Sequence, residues 1–106
     1  MNTDLITLNE VFNNGENVYF YHEPMIGSWV TYGYSAFLLS QMNGISSIAG
    51  FSEKMQMPCV CITEAAFREI VKENMSTIEC RDGYYLFSTT MQVDTEAYQR
   101  WCTSLK

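Results

Sequence analysis

The chain has 106 residues, 47% of them hydrophobic and 17% charged, enough for one domain of the usual size of about 100 to 150 residues and too few for two. That balance excludes a disordered tail, and no apolar run is long enough to span a bilayer. Twelve acidic against six basic residues leave a net charge of −6, the wrong sign for a protein that holds nucleic acid mainly by neutralising phosphates.

The first segment predicts a helix, because Leu5, Leu8 and Phe12 recur at helical spacing with Ile6 and Val11 beside them. Either Thr3 or Thr7 can cap it, the latter through a capping box with Glu10. Residues 13–17, NNGEN, carry turn formers that end it. The β-formers at 18–22 (VYFYH) and 28–33 (SWVTYG) then predict a hairpin, whose loop contains Pro24 and Gly27. Residues 35–43 predict a short helix with Ser35 as its cap and Phe37, Leu38 and Met42 on one face.

ISSIAGF, residues 45–51, reads as a strand leading into an exposed turn, and MPCVCI, residues 57–62, as a buried central strand. Thr63 stands at an N-cap position ahead of the clearest helix, with Ile62 and Phe67 as a hydrophobic staple and Phe67, Ile70, Val71 and Met75 as the buried stripe. The runs STIEC and YYLFS flank Arg-Asp-Gly, a tight-turn signal. A last helix has Asp94 as cap, Val93 and Tyr98 as staple, and Tyr98, Trp101, Cys102 and Leu105 as the stripe that docks on a sheet. The expected fold is therefore α+β, a single domain over residues 1–106. Its elements run α-β-β-α-β-β-α-β-β-α, with a mixed β-sheet flanked by helices.

Signatures of chemistry are thin. His22 is the only histidine, and neither a serine elbow, a phosphate loop nor a His-x-x-x-His pair accompanies it, so the expectation is a non-enzyme without cofactor. Glu64, Glu69 and Glu73 read as a solvated helix face. Among the cysteines, Cys59 and Cys61 fall on one face of a strand, a spacing that suits packing better than a zinc knuckle, and the metal expectation is none. The first residues, MNTDLITLNEV, show no export signal, so the expected location is the cytoplasm, with Cys59, Cys61, Cys80 and Cys102 as reduced thiols.

Aromatic residues carry the stronger signal. They number 15, and Tyr19, Tyr21, Trp29, Tyr32 and Tyr34 crowd the first hairpin. Strand alternation sends some of these rings to each face. One reading has Val18 and Phe20 filling the core while the tyrosines cover a sheet face with wet hydroxyls; the other is a platform on which bases stack. Trp29 is the ring expected to project into water.

Between residues 16 and 83 the words VYFYH, GSWVTYGYSA, FLLSQM, MPCVCI, Phe67 with Val71, and STIECRD run collinear with, and together resemble, the N-terminal mismatch-sensing domain of the MutS DNA mismatch-repair family. The resemblance places Trp29 and Thr31 at the family's Phe-x-Glu positions, where the aromatic ring wedges beside a mismatched base. Thr31 lacks the carboxylate that the family uses there, and Cys80 falls on the family's cysteine. The chain has no ATPase motif, so repair by this chain alone is not implied. What the resemblance implies is a binding module that contacts nucleic acid, single-stranded or distorted DNA, through Trp29, Thr31, Tyr32 and Tyr34. The alternative is a small adaptor on the same fold with no DNA role, using an aromatic patch to take a basic partner protein. Oligomeric state is left open, and no membrane is implied.

Overall fold

The structure, a computed structural model, describes residues 3–13, 15–23, 28–42, 47–74, 77–81, 84–89 and 93–105. Ten elements follow in the expected order: α1 (Thr3–Val11), β1 (Asn17–Glu23), β2 (Ser28–Tyr32), α2 (Gly33–Ser40), β3 (Ser47–Ser52), β4 (Met57–Ile62), α3 (Glu64–Glu73), β5 (Ile78–Arg81), β6 (Tyr84–Ser88) and α4 (Thr95–Leu105). The six strands form one sheet in the order β3-β4-β2-β1-β6-β5. The fold is α+β, and among the described residues all the strand pairs are antiparallel rather than of mixed direction. The reason lies in the connections. Three hairpins make three antiparallel pairs directly, and the helices between them link strands that point the same way but are not neighbours. Helix α2 carries the chain from β2 over β4 to β3, and α3 carries it from β4 across three strands to β5.

Alternation along the strands divides the side chains between two faces. The first face takes Val18 and Phe20 from β1, Trp29 from β2, Val60 and Ile62 from β4 and Phe87 from β6. Against it pack Ala36, Leu38 and Leu39 of α2 and Phe67 and Ile70 of α3, with Val71 and Trp101 at the margin. The second face takes Tyr19, Tyr21, Val30, Tyr32, Met57, Cys59, Cys61 and Tyr84, and Ile6 of α1 packs on it. Three helices thus cover one face, and a single nine-residue helix covers part of the other.

Two helix starts match the expected caps. The Thr63 hydroxyl accepts from Ala66 N at 3.1 Å, and Asp94 Oδ1 accepts from Glu96 N at 3.0 Å and Ala97 N at 3.3 Å. The stripes of α3 (Phe67, Ile70, Val71) and α4 (Tyr98, Trp101, Cys102, Leu105) also face inward, although the α4 residues are only half-buried. Met75, the Pro24–Gly27 loop and the Asp82-Gly83 turn lie outside the described residues, but Arg81 pairs with Tyr84 as a tight hairpin requires.

Of the two starts offered for α1 the structure takes the one at Thr3, and the start of α2 differs from expectation. Thr7 lies inside α1 rather than at its cap. Helix α2 begins two residues before Ser35, at Gly33, whose φ of +59° is open to glycine at little cost. Its N-cap, Tyr32, supplies no side-chain hydrogen bond, so the free amides of the first turn must find an acceptor elsewhere.

Candidate functional site

The residues expected to bind nucleic acid do not converge. Trp29 points to the helix-covered face and is only 8% exposed, which corrects the expectation that its ring projects into water. It lies 3.8 Å from the Phe67 ring, nearly parallel to it at 13°, and its indole N–H donates to Glu64 Oε2 at 2.6 Å. The cause is α3, whose first turn lowers an apolar ring and a carboxylate onto the same indole and satisfies both its surface and its N–H. Glu64 thereby serves the indole with one oxygen while its side chain stays half exposed and pairs with Arg68 through the other. Thr31 is fully buried on the same side, and its hydroxyl donates to Val60 O at 3.2 Å. Tyr32 is buried on the opposite face of the sheet. Tyr34 lies in α2, its ring 4.6 Å from that of Tyr98.

Where the two rows of rings meet the end of the sheet, His22, Trp29, Cys80, Arg81, Tyr84 and Tyr85 line a cleft of about 270 Å³. The His22 ring is 4.9 Å from Trp29, and Arg81 is occupied by an exposed ion pair with Glu79. Among the described residues no group of three or more His, Cys, Asp or Glu side chains could hold a metal ion.

The unexpected arrangement is on α1. Of the five apolar residues whose spacing predicts this helix, Leu8, Val11 and Phe12 point outward, at 55%, 69% and 74% exposure, while Leu5 is half-buried and Ile6 buried. Ile6, Glu10 and, just beyond the helix, Asn13 point inward instead. Hydrogen bonding accounts for the rotation. Glu10 Oε1 accepts from Ser35 N at 3.2 Å and Oε2 accepts from Ser35 Oγ at 2.7 Å, so a carboxylate from α1 caps the positive end of α2 across space. Asn13 Nδ2 donates to Asn17 O at 2.9 Å and to Ser35 Oγ at 3.3 Å. Asn13 Oδ1 accepts from Gly15 N at 3.1 Å and Asn17 N at 3.3 Å, and Tyr19 N donates to Ser35 Oγ at 3.0 Å. Every member has partners, as a buried polar network must.

The same network perturbs its acid. Burial raises the Glu10 carboxyl to about 7, against the lowering effect of the hydrogen bonds from Ser35, Asn13 and the Tyr34 amide. Nearby, burial pushes up the Tyr21 phenol despite the 3.1 Å hydrogen bond from Asn9 Nδ2. Burial, and next the thiol charge of Cys59 and Cys61, raise Tyr32 to about 12.

With α1 anchored through Ile6 and Glu10, all the exposed large hydrophobic residues described (Leu8, Val11, Phe12 and, on β3, the 77% exposed Ile48) lie on the side of the sheet that α1 only partly covers. Ile48 belongs to that side because it pairs with Cys61 across β3 and β4. Sequence periodicity missed this patch because it marks which residues share a helix face, not whether that face meets the core. The one available signal was Glu10 in register with Ile6, a polar residue on the opposite flank that only a distant helix end could employ.

Compared with known proteins, the chain matches no family model, no curated protein and no solved structure. No helix among the described residues is long and apolar enough to cross a membrane.

Proposed function

We propose that the protein is a non-enzymatic adaptor whose α1 outer face, Leu8, Val11 and Phe12, receives a partner protein presenting apolar anchors rimmed by basic residues. The observation that carries this reading is the orientation of α1: Ile6 and Glu10 turn inward, while Leu8 and Val11, with Phe12 just beyond the helix, are left in water. Such a face loses about 25 cal/mol for each Å² of apolar surface left wet, a cost that a covering partner removes. The charge of −6 favours a basic partner over a second copy, since two copies would bring like charge together.

The test is a fluorescence-anisotropy titration with an amphipathic Leu/Lys helical peptide, using a Leu/Glu peptide of the same pattern as control. The Lys peptide is expected to bind, more weakly as salt is raised, and Phe12→Asp is expected to weaken it at least about tenfold, as loss of a buried aromatic anchor does. Phe12 is exposed, so the variant should fold. Equal binding of both peptides, indifference to Phe12→Asp, or self-association of the free chain through this face would overturn the reading.

A second reading, contact with single-stranded or distorted DNA, is supported by the MutS resemblance and by one feature of the molecule. The cleft at the sheet end joins Tyr84, Tyr85 and the edge of Trp29 to Arg81, aromatic walls beside a cation that suit a stacked base. Single-stranded, duplex and mismatched oligonucleotides titrated at two salt concentrations, following Trp fluorescence, separate the two. Binding that vanishes in Arg81→Ala and persists in Phe12→Asp would favour this second reading.

A further inference from the structure

A cleft of about 330 Å³ opens between α1, the start of α2, the β3–β4 turn and α4. Glu10 reaches it from α1, Gly33 and Tyr34 from α2, Met55 and Met57 from the turn and β4, and Tyr98 from α4. Gly33 joins the polar and apolar walls. A Cβ there would lie 3.0 Å from Glu10 Oε1 and 3.5 Å from Met57 Sδ, so the glycine leaves open the space in front of both. The Tyr34 and Tyr98 rings stand 4.6 Å apart at 56°, two aromatic walls set at an angle.

Glu10 is 7% exposed, and its side-chain partners, Ser35 and Asn13, are neutral. The ion pairs among the described residues are Arg68–Glu64, Arg81–Glu79 and Arg100–Glu96, and Lys54, beside Met55 in sequence, is exposed. A carboxylate buried without a counter-charge is costly, and a cation brought to it offsets that cost. We propose that the cleft binds a primary arylalkylammonium ion, with its ammonium at Glu10 and its ring among Tyr34, Tyr98, Met55 and Met57. The ammonium offers three N–H donors to the carboxylate and gains from the tyrosine faces, and an aryl body suits thioether and aromatic walls. The volume lies at the small end of the range of about 300 to 1,000 Å³ usual for ligand sites, and the net charge of −6 draws cations.

Binding is non-covalent, and a protonated Glu10 gives its proton to solvent as the ammonium arrives. Burial raises that carboxyl to about 7. The titratable groups that face it from other elements are the phenols of Tyr19 and Tyr21 on β1, Tyr34 on α2 and Tyr98 on α4, and burial pushes Tyr19, Tyr21 and Tyr98 upward, away from neutrality. An alkylammonium keeps its charge between about pH 6 and 8. Over that range about one proton should leave per ligand at the acid end and almost none at the alkaline end, with affinity rising about tenfold.

The test is isothermal titration calorimetry of the full chain with 2-phenylethylammonium chloride across that pH range, in buffers of differing ionisation enthalpy, together with proton NMR of the Tyr34 and Tyr98 rings. One ligand per chain should bind and shift both rings. The uncharged analogue 2-phenylethanol, and tetramethylammonium, a cation without N–H, should each bind at least about tenfold more weakly. Nα-acetyl-lysine amide carries the same ammonium as a protein side chain and should also be weaker, since it lacks the ring. Glu10→Gln should weaken the amine at least about tenfold; the pH and analogue arms use the unaltered chain and stand even where that variant fails to fold. Val11 borders the cleft as well as the outer face of α1, whereas Phe12 lies on the outer face. Phe12→Asp is therefore expected to lose the Leu/Lys peptide and keep the amine, which tells failure of this site from failure of the adaptor reading. Equal affinity for 2-phenylethanol or tetramethylammonium, affinity flat with pH, undiminished binding to Glu10→Gln, or the lysine amide held more tightly than the arylalkylamine would each overturn the proposal.

Discussion

Replacing Glu10 by glutamine tests the capping of α2 by α1 more sharply than any other change. Burial raises the Glu10 carboxyl from 4.5 to about 7, so the folded chain holds this proton more tightly than the unfolded chain does. Stability from the group is then fully present below about pH 4.5 and is lost as pH rises through about 7. At about 1.36 kcal/mol per unit the whole window is worth about 3 kcal/mol, of which about 2 kcal/mol falls between about pH 5.5 and 8. That upper part of the window is the practical one, because the sequence pI of about 4.5 invites precipitation below it. Urea unfolding followed by Trp fluorescence should show wild type losing about 2 kcal/mol across that range relative to Glu10→Gln. The variant keeps an uncharged side chain at every pH, so the difference between the two curves isolates this one group from the ordinary carboxylates. A difference that is flat with pH, or one that grows in favour of wild type toward high pH, would refute the view that this carboxyl is buried without a counter-charge at the start of α2.

Gly33→Ala should cost about 1 to 2 kcal/mol from the backbone alone. At φ +59° the new Cβ would also sit 3.0 Å from Glu10 Oε1, so denaturant midpoints should fall further than a simple helix-propensity change allows. Trp29→Ala removes a ring stacked on Phe67 and leaves Glu64 without its indole donor; the expected loss is about 3 to 5 kcal/mol in thermal or urea unfolding, and a variant near wild-type stability would mean the ring is not packed there. Thr63→Ala deletes the hydroxyl that accepts from Ala66 N and should cost about 1 kcal/mol, with Thr63→Ser recovering most of it. In circular dichroism the Thr63→Ala loss should be confined to stability, leaving helix content of the folded state unchanged.

The elements that were legible in the residues are those whose signals are local. Thr63 and Asp94 act within their own first turns, and the stripes of α3 and α4 repeat at helical period, so neither depends on anything far away. The site was less legible because its geometry is set by pairs distant in sequence. Trp29 and Glu64 are 35 residues apart, and Glu10 and Ser35 are 25 apart; no spacing rule anticipates that an indole will be closed off by a later helix or that a carboxylate will cap an element two strands further on. Ser35 illustrates the point. A serine near a helix start reads as that helix's cap, yet its hydroxyl donates to Glu10 and accepts from Tyr19 N, tying α1, β1 and α2 together.

Composition, period and turn chemistry by themselves determined a single α+β domain, the order of its ten elements and the faces that α3 and α4 turn inward, because each of these follows from forces acting within a few residues. Tertiary structure alone decided that the six strands are all antiparallel in their pairing. It also decided that Trp29 is enclosed and that α1 turns Leu8 and Val11, with Phe12 just beyond it, toward water. Those outcomes depend on which unsatisfied amide, ring or carboxylate arrives from elsewhere in the chain, and the free amides at the start of α2 outweighed the hydrophobic preference of α1.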